Sequence, residues 1–212
     1  TELADAFLPA YETSNRIDFA NPTNIGYSAG PEYNGYYKYW AHRDMLAAAS
    51  VIDKVEARFA EVFGRKYTGM LESYRAGDAD FVIVALGSAA GLVRGVVDEL
   101  RAAGKRVGMV RIRYMRPFPT EEIANALMRA RAVAVLEKDI SFGAEGTVFT
   151  NVNSALQRYG VTTPTFNFIG GLGGADISAA QVEEIFAAMQ DCLDGFGELE
   201  PVNFIGIDEQ GR

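Results

Sequence analysis

Asp80-Phe-Val-Ile-Val-Ala-Leu-Gly-Ser88 contains six consecutive apolar residues that lead into a Gly-Ser turn. A run of that length before a turn is typical of a strand buried on both faces. The next apolar residues recur at helical spacing and predict a helix that ends near Gly104. Strands are then predicted over 106–113 and 132–136, with an amphipathic segment over 120–131 between them. Because parallel neighbours cannot be joined by a hairpin, this βαβαβ order predicts a parallel sheet.

The remaining sequence extends the same pattern. A helix is predicted from Gly143 to Tyr159, a strand over 163–169, a last helix over 178–193 with Ser178 as its N-cap, and a short added strand over 202–205. The expected fold class is α/β, a three-layer α/β/α arrangement around a mostly parallel sheet. It resembles a Rossmann-like fold and follows an N-terminal loop-rich and helical extension.

The extension has two parts. Residues 1–42 are rich in turn-forming residues and are expected to contain no long helix, whereas 43–64 carries an apolar stripe typical of an amphipathic helix. Residues 65–77 are expected only to connect this helix to the sheet. The first part is too aromatic for a solvated linker, so it is expected either to fold over its own domain or to lie on another domain or subunit. Its aromatic residues are Tyr11, Phe19, Tyr27, Tyr33, Tyr36, Tyr37, Tyr39 and Trp40.

Composition excludes several classes of function. A formal net charge of -8 argues against a nucleic-acid or anionic-membrane surface. The single cysteine excludes an internal disulfide and any metal or iron-sulfur centre built from several cysteines of this chain. No apolar run reaches the roughly 20 residues of a membrane-spanning helix. The chain does not begin with Met, so we expect a processed chain or a piece of a longer polypeptide. The single cysteine leaves the compartment open, and a reducing cytoplasm is the simpler expectation.

Few residues of catalytic type are present. His42 is the only histidine, so neither a Ser/His/Asp triad in the sheet domain nor a two-histidine metal site can form. His42 is expected to be a packing or interface residue, and Cys192 an inert core thiol on the apolar side of the last helix. Glu137 and Asp139 are expected to meet solvent at a strand end and not to act as an acid/base pair. The sequence therefore predicts no catalytic and no metal-ligating residue.

Four loops are expected at the carboxyl edge of the sheet, where open α/β sheets bind ligands. Their glycines are more typical of tight turns than of a nucleotide site, because neither a Walker A sequence nor a complete dinucleotide fingerprint is present. Arg116, fixed by the prolines that follow it, is expected to form a salt bridge that clamps the edge, or else to bind a carboxylate of a neighbouring domain or a ligand phosphate. The interface or loop candidates are Gly87, Ser88, Arg116, Lys138, Gly143, Glu145, Gly173 and Gly174.

Short motifs also occur along the chain in a defined order. They are Phe7-Leu-Pro9, Phe63-Gly-Arg-Lys-Tyr67, Tyr74 with Asp78-Ala-Asp80, Val84-Ala-Leu-Gly-Ser88, Arg113-Tyr-Met-Arg-Pro-Phe-Pro119 and Ile169-Gly-Gly-Leu-Gly-Gly-Ala-Asp-Ile177. Together they resemble the alpha subunit of pyruvate:ferredoxin oxidoreductase and related 2-oxoacid:acceptor oxidoreductases over nearly the whole chain. The central block also resembles the carboxyl-terminal domain of transketolase-like thiamine diphosphate enzymes, including the beta subunit of pyruvate dehydrogenase.

This resemblance implies oxidative decarboxylation of a 2-oxo acid such as pyruvate, with coenzyme A as acyl acceptor and ferredoxin as electron acceptor. It implies thiamine diphosphate, magnesium and iron-sulfur clusters in the full complex, but no cofactor in this chain, which lacks a Gly-Asp-Gly motif. The implied partners are the beta, gamma and ferredoxin-like delta subunits, besides ferredoxin itself.

The resemblance also implies a division of the chain. Residues 1–68 are expected to be the end of a pyrimidine-binding domain with its linking helix, and residues 69–212 a transketolase C-terminal-like domain that acts as scaffold and subunit interface. Two alternatives stay open. One is a free-standing nucleotide-binding Rossmann-like module, and the other is the C-terminal domain of a pyruvate dehydrogenase-type enzyme that passes its acyl group to lipoamide.

Overall fold

The computed structural model of the chain describes residues 2–8, 10–13, 16–22, 26, 28–67 and 69–207. It divides the chain into two compact units, residues 1–69 and 70–212. Pro9 and Tyr27, which the sequence analysis singled out, lie outside the described residues.

The first unit contains helix α1, Glu2–Phe7, and the long helix α2, Pro31–Phe63. The expectation that residues 1–42 contain no long helix was wrong, because α2 begins at Pro31 rather than at 43. Gly30 has an extended backbone and serves as N-cap, and Pro31 occupies the first turn, where a missing N–H costs nothing. The dipeptide Gly30-Pro31 is typical of a turn, but in the structure it starts helix α2. The predicted end is confirmed, since Gly64 is left-handed and donates its N–H to the Ala60 carbonyl.

Aromatic contacts join α1 to the end of α2. The Phe7 ring lies 5.6 Å from the rings of both Phe59 and Phe63, and Arg58 donates a hydrogen bond to the Ala6 carbonyl. No residue of α2 is buried, however. The apolar stripe that predicted this helix is therefore only partly covered: Met45, Leu46 and Val55 are exposed, and its other residues are half-buried.

The second unit contains the sheet. Its elements are β1 (Leu71–Tyr74), β2 (Phe81–Leu86), α3 (Ala89–Ala102), β3 (Val107–Ile112), α4 (Thr120–Leu127), β4 (Ala132–Glu137), α5 (Thr147–Arg158), β5 (Thr165–Ile169), α6 (Ala179–Asp194) and β6 (Val202–Phe204). Helix α5 begins at Thr147 rather than at 143, because Gly146 is its extended N-cap. Helix α6 begins as predicted with Ser178, which accepts the Gln181 N–H in a capping box.

The six strands form one sheet in the order β1-β3-β2-β4-β5-β6. All neighbours are parallel except β1, which pairs antiparallel with β3. Strand β1 lies where the sequence predicted only a connection, because four residues are too few to produce a recognisable alternation. The predicted added strand is present as β6.

Two apolar clusters lie on the two faces of the sheet. One packs α3 and α6 against it through residues such as Val93 and Ile185, and the other packs α4 and α5 through Ile123 and Val152. The predicted three-layer α/β/α arrangement is thereby confirmed. Across the described part of the chain, no helix combines the length and the apolar character needed to cross a membrane.

Candidate functional site

The loops that follow β2, β3, β4 and β5 lie at one edge of the sheet, because these four strands run parallel. Strand β2 has β3 on one side and β4 on the other, so the chain reverses its direction of progress across the sheet between β2 and β4. Open α/β sheets bind ligands in the crevice at such a reversal. The candidate site is therefore centred on the ends of β2 and β4.

Gly87 and Ser88 occupy the β2 side of this crevice and are exposed. Gly87 has a φ of 55°, a left-handed conformation that favours glycine and turns the chain from strand to helix. Ser88 is the N-cap of α3, but its side chain makes no capping hydrogen bond.

Arg116 is exposed at the end of β3, after which Pro117 follows through a cis peptide bond. Its guanidinium donates a hydrogen bond of 2.6 Å to the neighbouring Met115 carbonyl. The expected salt bridge is absent among the described residues, so Arg116 does not clamp the edge within this part of the chain. Its fork stays available to an anionic group from elsewhere.

Lys138 follows β4 and reaches the glycine-rich loop after β5. A Cβ added at Gly171 would lie 2.9 Å from Lys138 Cε, so the end of the lysine packs against the Gly171 backbone. Gly173 and Gly174, also left-handed, lie in a short 3-10 turn of the same loop and are exposed. The structure thus brings Lys138 to this loop, but Gly87 and Ser88 belong to a different loop.

The loop from 138 to 146 is held by its own backbone. Ser141 donates its N–H to the Glu145 carbonyl, and Ala144 donates its N–H to Ser141. At the end of the loop, the Thr147 hydroxyl donates to the Asp139 carboxylate. Gly143 is left-handed, and Glu145 is exposed. The loop presents Phe142 with 95% of its surface exposed.

Glu137 is buried and accepts several hydrogen bonds, so its expected exposure was wrong. Its side chain turns under the start of α5 and is 4% exposed. Oε2 accepts the Val148 N–H at 2.7 Å, and Oε1 accepts the Phe149 N–H at 3.0 Å. A carboxylate in this position satisfies amides that a helix start leaves unpaired and opposes the positive end of its dipole.

Asn167 completes this arrangement, and the sequence analysis missed it. It is fully buried in β5, donates from Nδ2 to Glu137 Oε1 at 2.9 Å, and accepts the Gly146 N–H at 2.8 Å. The Asn203 amide donates in turn to the Asn167 carbonyl at 3.1 Å, which links β6 to the same network. The available signal was a single amide inside the apolar run Thr165-Phe-Asn-Phe-Ile169, since buried polar side chains need partners.

The Glu137 carboxylate leaves no room for a side chain at position 146. A Cβ on Gly146 would lie 2.0 Å from Glu137 Oε1, which no real contact permits. Its φ of -69° is open to any residue, so close approach and not backbone conformation explains the glycine.

Burial raises the pKa of Glu137 above its ordinary value, against the lowering effect of the hydrogen bonds from Val148, Phe149 and Asn167. The negative charge of Asp139 also raises this pKa. Because its oxygens are occupied by protein donors, Glu137 is a positioning group that fixes the start of α5 and the loop before it. It is not placed to exchange protons with a bound substrate.

The other candidates lie apart from this network. His42 is exposed on α2, and Cys192 is half-buried near the end of α6 rather than in the core. Among the described residues no group of three or more His, Cys, Asp or Glu is placed to hold a metal ion. With one cysteine in the sequence, this chain does not by itself supply the several thiolates that an iron-sulfur cluster needs.

Comparison with known proteins gives consistent results. Residues 79–182 match the family model for pyruvate:ferredoxin oxidoreductase core domain II. The chain is 39% identical over 211 residues to pyruvate synthase subunit PorA of Methanothermobacter thermautotrophicus, a match that covers 100% of this chain and 52% of the relative. It is 37% identical over 200 residues to ketoisovalerate oxidoreductase subunit VorA of Pyrococcus abyssi, which covers 94% of this chain and 50% of that subunit.

A solved structure of 2-oxoglutarate:ferredoxin oxidoreductase from Magnetococcus marinus, with 2-oxoglutarate, coenzyme A and succinyl-CoA bound, is 19% identical with a TM-score of 0.45. That match covers 85% of this chain and 28% of the other. The chain spans about half the length of the curated relatives it matches. By its sequence the chain is similar to the alpha subunits of 2-oxoacid:ferredoxin oxidoreductases, and residues 79–182 match core domain II of pyruvate:ferredoxin oxidoreductase.

Proposed function

We propose that this chain is part of a thiamine diphosphate-dependent enzyme that oxidatively decarboxylates a 2-oxo acid such as pyruvate to its acyl-CoA and passes electrons to ferredoxin. The observation that carries the proposal is 39% identity to a pyruvate synthase alpha subunit along the whole chain. In this proposal residues 1–68 are the end of a pyrimidine-binding domain, and residues 69–212 are a transketolase C-terminal-like domain in a cytoplasmic complex.

The chain's own role is that of scaffold and subunit interface. Every buried side-chain nitrogen and oxygen among the described residues has a hydrogen-bond partner, so the second unit keeps no buried polar group in reserve for chemistry. Thiamine diphosphate, when bound in the complex, supplies the carbanion chemistry. The beta, gamma and ferredoxin-like delta subunits supply the cofactor and cluster ligands that this chain lacks.

The loop from 138 to 146 is the part of the second unit best suited to meet a neighbour. Glu137 and Asn167 fix its end from below, and Phe142 projects from it into solvent. An exposed aromatic side chain on a rigid support is the kind of group that anchors an interface. In the first unit, the exposed rings of Tyr36 and Trp40 on α2 are suited to the same task.

The first experiment purifies the chain, tagged at its genomic locus, and identifies its companions by mass spectrometry. We expect cysteine-rich subunits, iron-sulfur absorbance, and dye reduction that requires both a 2-oxo acid and coenzyme A. Pyruvate and 2-oxoisovalerate are compared, because the family includes both PorA and VorA subunits. Acyl transfer to lipoamide without iron-sulfur absorbance would favour the pyruvate dehydrogenase-type alternative. Nucleotide-dependent thermal stabilisation of the chain would favour a free-standing nucleotide module.

The second experiment tests the interface. Phe142→Ala is compared with Phe196→Ala, since both rings are exposed, at 95% and 84%, but Phe196 follows α6 at the opposite edge of the sheet. We expect Phe142→Ala to weaken retention of companion subunits about tenfold or more, and Phe196→Ala to leave it unchanged. Equal retention in both variants would contradict the proposed role of the loop.

A further inference from the structure

A groove of about 690 Å³ lies between α6 and the turn that joins α3 to β3. Its lining includes Asp80, Phe81 and Val107, which lie where β2 and β3 begin. At this end the groove therefore reaches the amino edge of the sheet, which lies opposite the loops of the candidate functional site. The scaffold role described above does not use it.

The groove is long and follows one side of α6. The residues of α6 that line it recur at helical spacing: Ala180, Glu183, Glu184, Ala187, Gln190 and Asp191. At 1.5 Å of rise per residue, this lining runs for roughly 16 Å. Small side chains at 180 and 187 allow another backbone to approach closely. A groove of this length suits a polypeptide segment, laid along it as a helix, better than a compact small molecule.

The floor of the groove is apolar. Phe81 and Phe186 belong to the core and line the groove, and the partly buried Leu100 packs against the same cluster. An apolar side chain that enters from solvent would extend this cluster and lose its contact with water. The occupant therefore needs at least one large apolar residue that faces the floor.

The charges on the walls define the rest of the occupant. Glu183, Glu184 and Asp191 form no ion pair with any described residue. On the opposite wall, Arg106 is engaged, since it lies 3.4 Å from the Asp80 carboxylate and donates to the Asp78 carbonyl. Lys105 is the remaining cation of the lining. The uncompensated charge is therefore negative and is concentrated on α6.

From this combination we infer that the groove between α3 and α6 docks an amphipathic, positively charged segment of a partner polypeptide. Its apolar residues lie on the floor, and its Lys or Arg residues face the three free carboxylates of α6. This pairing places apolar contact at the centre and opposite charges at the rim.

The test uses the full 212-residue chain and three synthetic helical peptides, with binding followed by fluorescence anisotropy. The first peptide has a leucine stripe flanked by lysines. The second replaces the lysines by glutamates, and the third keeps the lysines but replaces the leucines by glutamines. We expect the first to bind, and the other two to bind at least about tenfold more weakly. Failure of the first peptide to bind, or equal binding of all three, would overturn the inference.

Matched variants locate the binding. Glu183→Lys with Glu184→Lys reverses two charges in the groove, and Glu121→Lys with Glu122→Lys makes the same change on exposed positions of α4. We expect the α6 pair to weaken the lysine peptide about tenfold and to strengthen the glutamate peptide, whereas the α4 pair changes neither. An equal loss in both variants would show attraction to the acidic surface in general and would contradict a docking groove.

Discussion

Helix α2 and strand β4 are both rich in apolar residues, yet their environments are opposite. All six residues of β4 are buried, whereas none of the 33 residues of α2 is. Strand β4 lies inside a sheet that is covered on both faces by helices of its own unit. In the first unit, the described contacts of α2 include those of the short helix α1, whose Phe7 ring packs against Phe59 and Phe63 at one end of α2. An apolar pattern therefore predicts a type of element, but the surrounding topology decides whether this element is buried.

Gly146→Ala is expected to have the largest effect, because it disrupts the buried network of the second unit. The new Cβ would lie 2.0 Å from Glu137 Oε1 and would displace the carboxylate from its donors. We expect the free energy of unfolding to fall by about 3 kcal/mol, since a buried charge loses its partners. Urea unfolding followed by circular dichroism measures the change.

Gly91→Ala is the control for this variant, because no heavy atom would meet its Cβ and it lies in an exposed position of α3. It is expected to be neutral or slightly stabilising. Equal stability of the two variants would mean that Glu137 can move away at little cost.

Val135→Ala and Val55→Ala make the same chemical change in β4 and in α2. Val135 is fully buried, whereas Val55 is 48% exposed. We expect a loss of about 2 kcal/mol for Val135→Ala, from lost burial and the cavity left behind, and a change under about 0.5 kcal/mol for Val55→Ala. The only tryptophan, Trp40, lies in α2, so its fluorescence follows the first unit while circular dichroism follows both. A large loss in Val55→Ala would mean that α2 is covered in solution.

Ser178→Ala removes a hydrogen bond at the exposed start of α6 and should have a smaller effect. The Ser178 side chain accepts the Gln181 N–H at 3.2 Å, and loss of such a cap costs about 1 kcal/mol. Ser154→Ala, in an exposed position inside α5, is the matched change without a cap. Thermal unfolding that is the same for both variants would assign no stability to this cap.

The last prediction concerns a slope with pH. Because burial raises the pKa of Glu137, the folded chain binds this proton more tightly than the unfolded chain does. The stability that protonation of Glu137 adds to the folded chain is fully present below its ordinary pKa of 4.5. It is lost as the pH rises through the raised pKa of the folded chain. The stability of the wild type relative to Glu137→Gln should therefore decline over that range. A difference that is constant from acid to neutral pH would contradict the raised pKa.

Much of the second unit was predictable because its signals are local. A few consecutive residues are enough to recognise the apolar runs of β2 and β4 and the helix N-cap at Ser178. Strand β1 was not predictable, because its four residues, Leu71–Tyr74, are too few to show a strand pattern. Its position depends on pairing with β3, which is distant in sequence. The start of α2 was missed for a different reason, since Gly30 and Pro31 favour a turn and a helix start equally well.

The candidate site was predicted by position but not by mechanism. Parallel strands bring the loops to one edge whatever their side chains are, so the locations of Gly87, Lys138 and Gly173 followed from topology. The burial of Glu137 did not, because it depends on Asn167 in another strand and on the absence of a side chain at 146. Nothing near Glu137 in the sequence indicates that its carboxylate pairs with the first amides of α5, because Gly146 and Asn167 lie 9 and 30 residues further along the chain.

The two edge strands of the sheet are short, with four residues in β1 and three in β6. The strands just inside them, β3 and β5, have long apolar stretches whose backbone groups would be free to pair with another molecule if an edge strand were lost. Short edge strands limit such pairing. Removal of either edge strand would therefore expose a template for aggregation, and solubility rather than activity would be the first property to suffer.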